Sequence, residues 1–351
     1  KDIYGGMTNT EKGKVSKNTV EINDNSTING SVYGGALDNY YAVADAKENK
    51  VTLRGTKATT KVTGDIIGGY VKTSANDVMN NVVTIEGGKV SGDVFGAKID
   101  RTGNAENNVV TMRGDSEVRS LIGGYVEDMG HANNNTVSLQ AGKVTGDVAG
   151  GLAGTSGSAD AKNNTVTITG GKVNGSVYGG YSASGKSIRN TVNLGDGKNA
   201  MAAGYRLSHI LGGNQSSDVT GNTLNVKTNV KADNILNFEK IRFQKNDSFA
   251  AGTPLLELNG GVQTTIKNLS NIEIDGFLGK YIVMKNTYGI TITDGDAPLI
   301  DTTGNREKNL RKDGTDKILY EMYQFKDVDA TQATATVDDN NRYAGRSKAG
   351  N

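Results

Sequence analysis

The stretch NNTVTITGGKVNGSVYGG, residues 163–180, decides how the whole chain reads. Val166 and Ile168 alternate with Thr165 and Thr167, the two-residue period of a half-buried strand. A glycine turn (TGGK) follows, then a second alternating stretch, Val173-x-Gly175-x-Val177-Tyr178. Neither strand can bury its apolar face alone. Stacking equivalent strands from successive copies buries both, which predicts a solenoid of parallel strands.

The copies are present. Double glycines stand at Gly5-Gly6, Gly34-Gly35, Gly68-Gly69, Gly123-Gly124, Gly150-Gly151, Gly179-Gly180 and Gly212-Gly213, with Gly96-Ala97 as a degenerate copy. Their spacings are 29, 34, 28, 27, 27, 29 and 33 residues. A second column, Asn-x-Val-x-Ile, recurs in phase eight times: NTVEI from Asn18, NKVTL from Asn49, NVVTI from Asn81, NVVTM from Asn108, NTVSL from Asn135, NTVTI from Asn164, NTVNL from Asn190 and NTLNV from Asn222. A unit of this size suits one turn of a three-sided coil, since three short strands of ~5 residues and tight corners use roughly 20. The excess collects between the double glycine and the next asparagine, in segments that differ in length and chemistry. These read as variable loops: 36–48, 70–80, 98–107, 125–134, 152–163 and 181–189. The asparagines are expected to ladder from coil to coil, and both they and the glycines to supply left-handed backbone at corners.

Composition agrees. The chain has 351 residues, 48 of them glycine and 2 proline, and a hydrophobic fraction of 35%, low for one large globular core. Lysine and arginine total 39 against 38 for aspartate and glutamate, a net charge of +1 with no long run of one sign. That disfavours a nucleic-acid partner, which requires clustered cations, and a polybasic membrane anchor. Cysteine is absent, which removes disulfides, thiolate metal sites and cysteine nucleophiles. No apolar run approaches the ~18 residues of a membrane-spanning helix.

The fold expected is therefore all-β: a right-handed parallel β-helix over 1–234, about eight coils of 27–34 residues, with a strand-rich C-terminal cap. The repeat stops near residue 234, where ILNFEKIRF (235–243), PLLEL (254–258), TTIKNLSNIEI (264–274), KYIVM (280–284) and YGITIT (288–293) continue as strands. Solenoids need atypical end units to cover the last open row of backbone groups, so 235–335 reads as the cap. Residues 336–351, poor in apolar side chains, read as a linker.

The GDVYGG-like and NNTVTI-like repeats, such as Asp147-Val148-Ala149-Gly150-Gly151 and Ser176-Val177-Tyr178-Gly179-Gly180, followed by ILNFEKIRF, resemble the passenger region of monomeric autotransporters, type V secreted proteins of bacteria with an outer membrane. The resemblance implies a precursor carrying a signal peptide and an outer-membrane β-barrel, neither of which lies in this sequence. It further implies display at the bacterial surface, anchored or released, and adhesion to a host-cell surface protein or glycan or to neighbouring bacterial cells. The start at Lys1, inside a repeat, reads as an excised fragment.

No metalloprotease, hydrolase-elbow or serine-protease motif can be assembled, the two histidines are His131 and His209, and neither cofactor nor metal is expected. Asp65, Asp93 and Asp147 share one repeat position with Ser31 and Ser176, which reads as an exposed turn and not as a catalytic row; an enzyme is not expected. Candidate ligand-binding residues are Tyr40 and Tyr41 in the first long variable segment, His131 in another, and Arg113-Gly114-Asp115, an integrin-type tripeptide whose glycine fills the repeat's turn slot. Tyr70, Tyr125 and Tyr181 are further aromatics of the variable segments, with a stack beside the double glycines as their simpler role.

Overall fold

A computed structural model describes residues 1–324 except 11–12, 40–42, 202–204 and 304–305, with backbone alone at 43–44, 76, 303 and 324. The linker expected over 336–351, and the candidates Tyr40 and Tyr41, lie outside the described residues. The chain is an all-β solenoid of about 10 turns built on stacked parallel sheets. Strands that contain the double glycines belong to a fifteen-stranded sheet, and the Asn-x-Val-x-Ile strands to a ten-stranded one. Short Lys-Val strands such as Lys61–Val62 and Lys143–Val144 form a six-stranded sheet. Equivalent residues meet in register, Val51 on Val83, Val83 on Val110 and Val110 on Val137, so each apolar column becomes a continuous ridge inside the rod.

Two expectations need correction. Several segments read as variable loops are strands: Val43–Lys47, Ser74–Met79, Thr102–Glu106 and Gly130–Asn133 join Lys14–Ser16 in a five-stranded parallel sheet. Coils up to residue 133 therefore have four strands each instead of three. The inward column of this sheet is small, Ala46 on Val78 on Ala105 on Ala132, all with no exposed surface. These columns close a second narrow core, separate from the main one, with Leu37, Val71, Ile99 and Val126 on its far wall.

The second correction concerns the double glycines, which are not corners and have no positive φ. They bend a strand in its middle. Val32 lies in the main core and Leu37, five residues on, lies in the second. A straight strand puts residues five apart on opposite faces, so the inward side switches at Gly34-Gly35. The first glycine lets the bend stack: a Cβ on Gly34 would come within 2.5 Å of the Gly68 carbonyl oxygen, and one on Gly123 would fall on that of Gly150. The second makes room for the asparagine column, since a Cβ on Gly124 would stand 2.6 Å from Asn135 Nδ2. Ala97 pairs with Gly69 and Gly124 in that second register, so the degenerate copy keeps the glycine that faces backbone and changes the one that faces a side chain.

Between the two cores runs the asparagine ladder. Asn81 Nδ2 donates to Asn108 Oδ1 at 3.0 Å, Asn108 to Asn135 at 3.0 Å, and Asn135 to Asn164 at 3.2 Å. The second hydrogen of each Nδ2 goes to a carbonyl of the five-stranded sheet or its continuation, Ala46, Val78, Ala105 and Ala132 in turn. Each Oδ1 also accepts the backbone N–H of the preceding ladder asparagine, as Asn135 Oδ1 does from Asn108 at 3.0 Å. The amides from Asn49 to Asn222 are fully buried, and buried polar groups need partners. The left-handed corner belongs to the residue before: Lys17, Glu48, Asn80, Asn107, Asn134, Asn163 and Arg189 have φ between 55° and 61°. Paired asparagines thus divide two tasks, the first turning the chain and the second laddering.

Parallel pairing continues past the repeat signature, through Leu256–Leu258 and Gly279–Asn286. It ends where Lys317–Gln324 pairs antiparallel with Gly279–Asn286 and then with Arg306–Asp313, which in turn meets Leu299–Thr303. This antiparallel meander covers the final open strand edge, and Tyr320 and Ile318 seal the core beneath it. Among the described residues no helix is long and apolar enough to cross a membrane.

Candidate functional site

The sequence-selected residues do not converge. Arg113 and Asp115 flank Gly114, whose φ of 72° makes the turn between two sheets. Both side chains are about half exposed, at 51% and 50%, and both are engaged: Arg113 Nη2 with Glu86 at 2.5 Å and Asp115 with Lys57 at 3.1 Å. The Arg113 guanidinium holds the Glu86 carboxyl below its ordinary range against a smaller effect of burial. His131 is on a strand of the five-stranded sheet, not on a loop, and its Nδ1 accepts the Asp160 backbone N–H at 3.2 Å. Burial works against ionisation of Asp160 but Lys162 and the Lys186 backbone outweigh it, leaving that carboxyl below its usual range. Tyr70 donates to Asp100 at 2.6 Å and packs on Tyr33, which stacks in turn on Tyr4 at 4.8 Å, the simpler stacking role expected of it.

The aspartate and serine column is an inter-coil fastening. Ser31 Oγ accepts the N–H of Asp65 at 3.0 Å, Asp65 Oδ1 that of Asp93 at 2.9 Å, and Asp147 Oδ1 that of Ser176 at 2.7 Å. Among the described residues no group of three or more histidines or carboxylates is placed to hold a metal ion.

What the sequence reading passed over is the outer face of the fifteen-stranded sheet. Because the strand bends, each coil shows two outward side chains three residues apart, and both positions are largely apolar. Tyr33, Ile67, Phe95, Ile122, Ala149 and Tyr178 follow one another in one column, and Tyr70, Lys98, Tyr125, Leu152 and Tyr181 in the other. Ala149 is where the first column collapses to a methyl group. A groove of about 640 Å³ opens there, within the ~300–1,000 Å³ of ligand sites.

Its two ends are aromatic. Phe95 and Tyr125 meet at 5.7 Å on one side, and Tyr178 and Tyr181 meet edge to face at 5.7 Å on the other. Tyr125 and Tyr181 lie two coils apart, about 9.6 Å at the strand spacing, with Leu152 and Ala149 forming the floor between them. Burial raises the Tyr125 and Tyr178 phenols above their ordinary range, so both stay protonated donors. One long wall carries Asp93, Arg119, Ser120 and Asp147, and the opposite wall Glu127 and Thr155. Arg119 grips Asp93 through Nε at 2.6 Å and Nη2 at 2.5 Å. Asp147 and Glu127 are exposed and form no ion pair with the described residues. The signal that could have found this face is the doublet of apolar residues before each double glycine, Ile66-Ile67, Val94-Phe95 and Leu121-Ile122, too apolar for a strand with one wet side.

No protein-family model matches the chain, and neither does any curated protein or solved structure, so the fold and this groove are what any functional reading rests on.

Proposed function

We propose that this chain is the rod of a surface-displayed adhesin of the autotransporter passenger type, which contacts its ligand through the outer face of its longest sheet. The observation that supports the reading is the groove at Ala149. It combines partly exposed aromatic surface, carboxylates outside ion pairs and an arginine fixed on Asp93, on strands that pair with both neighbours. Rigid aromatic anchors ringed by polar groups are the usual makings of a recognition site. The elongated solenoid supplies reach, and the absence of cysteine suits a chain that crosses membranes unfolded.

Saturable binding of the purified chain to epithelial or bacterial cells, lost when Ala149→Trp fills the groove, is the expected result. Absence of saturable binding to either cell type overturns the adhesin reading. Self-association is a second reading, favoured by a different face. On the ten-stranded sheet the outward pairs from Val82 and Thr84 through Thr111, Thr136, Thr165 and Thr191 to Thr223 and Asn225 carry no charge over six coils. Two such faces can meet without desolvating an ion. Sedimentation of the chain over a concentration series measures it directly.

A further inference from the structure

We infer that the Ala149 groove binds an oligosaccharide without acidic groups, neutral or amino-bearing, with one sugar ring seated over Leu152 between Tyr125 and Tyr181 and the buried Ala149 methyl beneath leaving the room for it. The inference rests on the adhesin reading and names its ligand class. Three observations favour a glycan over a peptide. First, the groove floor offers no free backbone. The strands beneath it pair on both sides, Leu121–Val126 with Val148–Ala153 and Val148–Ala153 with the coil after, and the Val148 N–H is taken by Ser176. A peptide laid there would leave its own N–H and C=O groups without the strand edge that extended peptides use.

Second, the polar groups that remain are side chains of the kind that pair with hydroxyls. Asp147 keeps an oxygen beyond the one fastened to Ser176, Arg119 keeps nitrogen donors beyond those on Asp93, and Glu127 faces them from the opposite wall. The tyrosine rings between supply flat apolar surface for the C–H face of a pyranose, and two strand spacings leave room for one ring with the floor residue below. Third, charge selects. The lining holds the carboxylates Asp65, Asp93, Asp147 and Glu127 against the cations Lys98 and Arg119, a formal charge of −2. Sulfated, sialylated or uronic chains meet that surface with like charge, whereas an amino sugar meets Asp147 and Glu127 with opposite charge.

The test uses the full 351-residue chain on an array that holds neutral, amino and acidic oligosaccharides, with Ala149→Ile and Tyr181→Ala beside it. Ala149→Ile restores the side chain present one coil earlier, at Ile122, but at a site with no exposed surface, so its melting temperature is measured beside its binding; Tyr181 is exposed, and Tyr181→Ala is expected to leave the melting temperature unchanged. Binding to neutral or amino glycans, weakened roughly tenfold or more by each variant, is the expected result. Binding confined to acidic glycans overturns the charge argument. Binding that both variants retain overturns the placement. Silence on the array while cells still bind, and lose binding with Ala149→Trp, overturns the glycan and points to a protein ligand with the adhesin reading intact. Silence on both overturns the adhesin reading itself.

Discussion

Replacing Asn135 by alanine tests the asparagine ladder at its centre. The side chain makes four hydrogen bonds: Nδ2 to Asn164 Oδ1 and to the Ala105 carbonyl, and Oδ1 from the Asn108 N–H and the Asn108 amide. Asn164 Oδ1 keeps a partner after truncation, because the backbone N–H of residue 135 still donates to it. Two groups do not: the Asn108 N–H and one Asn108 Nδ2 hydrogen; the Ala105 carbonyl stays within the parallel pairing of its strand. Both lie in a fully buried residue, where each unsatisfied group costs about 1–3 kcal/mol. Allowing for local relaxation, the sum is about 2–5 kcal/mol, a large part of the ~5–15 kcal/mol that holds a domain folded. A repeat array opens locally instead of all at once, so hydrogen exchange is the informative assay. Protection of the amides in Val109–Met112 and Thr136–Leu139 is expected to fall by roughly thirtyfold to several-thousandfold at ~1.4 kcal/mol per decade. The outward Thr165→Ala serves as a control with little effect. A loss of protection below about fivefold, roughly 1 kcal/mol, would refute the view that the ladder holds the coils together.

The two glycines of a pair are expected to differ: Gly123→Ala, opposed by backbone, costs about 3 kcal/mol or more, while Gly124→Ala, opposed by Asn135, costs about 1 kcal/mol, as denaturant midpoints will show. A second-position variant as damaging as the first would contradict the tolerance seen at Ala97. In alkali, burial lifts the Tyr33 phenol to about 12, so the stability its neutral form contributes is complete below its unfolded value of ~10 and disappears as pH rises from there toward 12. Phenolate absorbance followed with circular dichroism should show exposed tyrosines ionising first and the remainder only as ellipticity is lost. Asp115→Glu is expected to leave cell attachment unchanged while Ala149→Trp abolishes it, because Arg113 and Asp115 are tied to Glu86 and Lys57; the reverse pattern would return the binding site to the tripeptide.

The coil, its period and the laddering column were readable in the chain because each is written several times in phase. Val166 and Ile168 reveal a strand by alternation alone. The segments around Ala46, Ala105 and Ala132 gave no such sign: alanine, asparagine and aspartate have weak strand preference, and their pairing comes from the equivalent strands of the coils above and below. Glycine carries two meanings in sequence, unusual φ or close approach, and nothing in Gly34-Gly35 separates them until Asn49 is seen against the pair. The groove was hidden for a related reason. A bend that reverses the inward side makes residues three apart share an outer face, so Ile122 and Tyr125 belong together although a straight strand would divide them.

The ladder also bears on how such a rod can change over generations. From Asn49 to Asn164 each ladder asparagine offers the same acceptor to the one before it and takes the same acceptor from the one after, so a cut from one of them to the residue preceding the next leaves two ends that already fit. Gain or loss of such a segment alters the length by about 4.8 Å without a new junction having to be invented. Recombination between copies can therefore move the groove along the rod in equal steps, with its chemistry untouched.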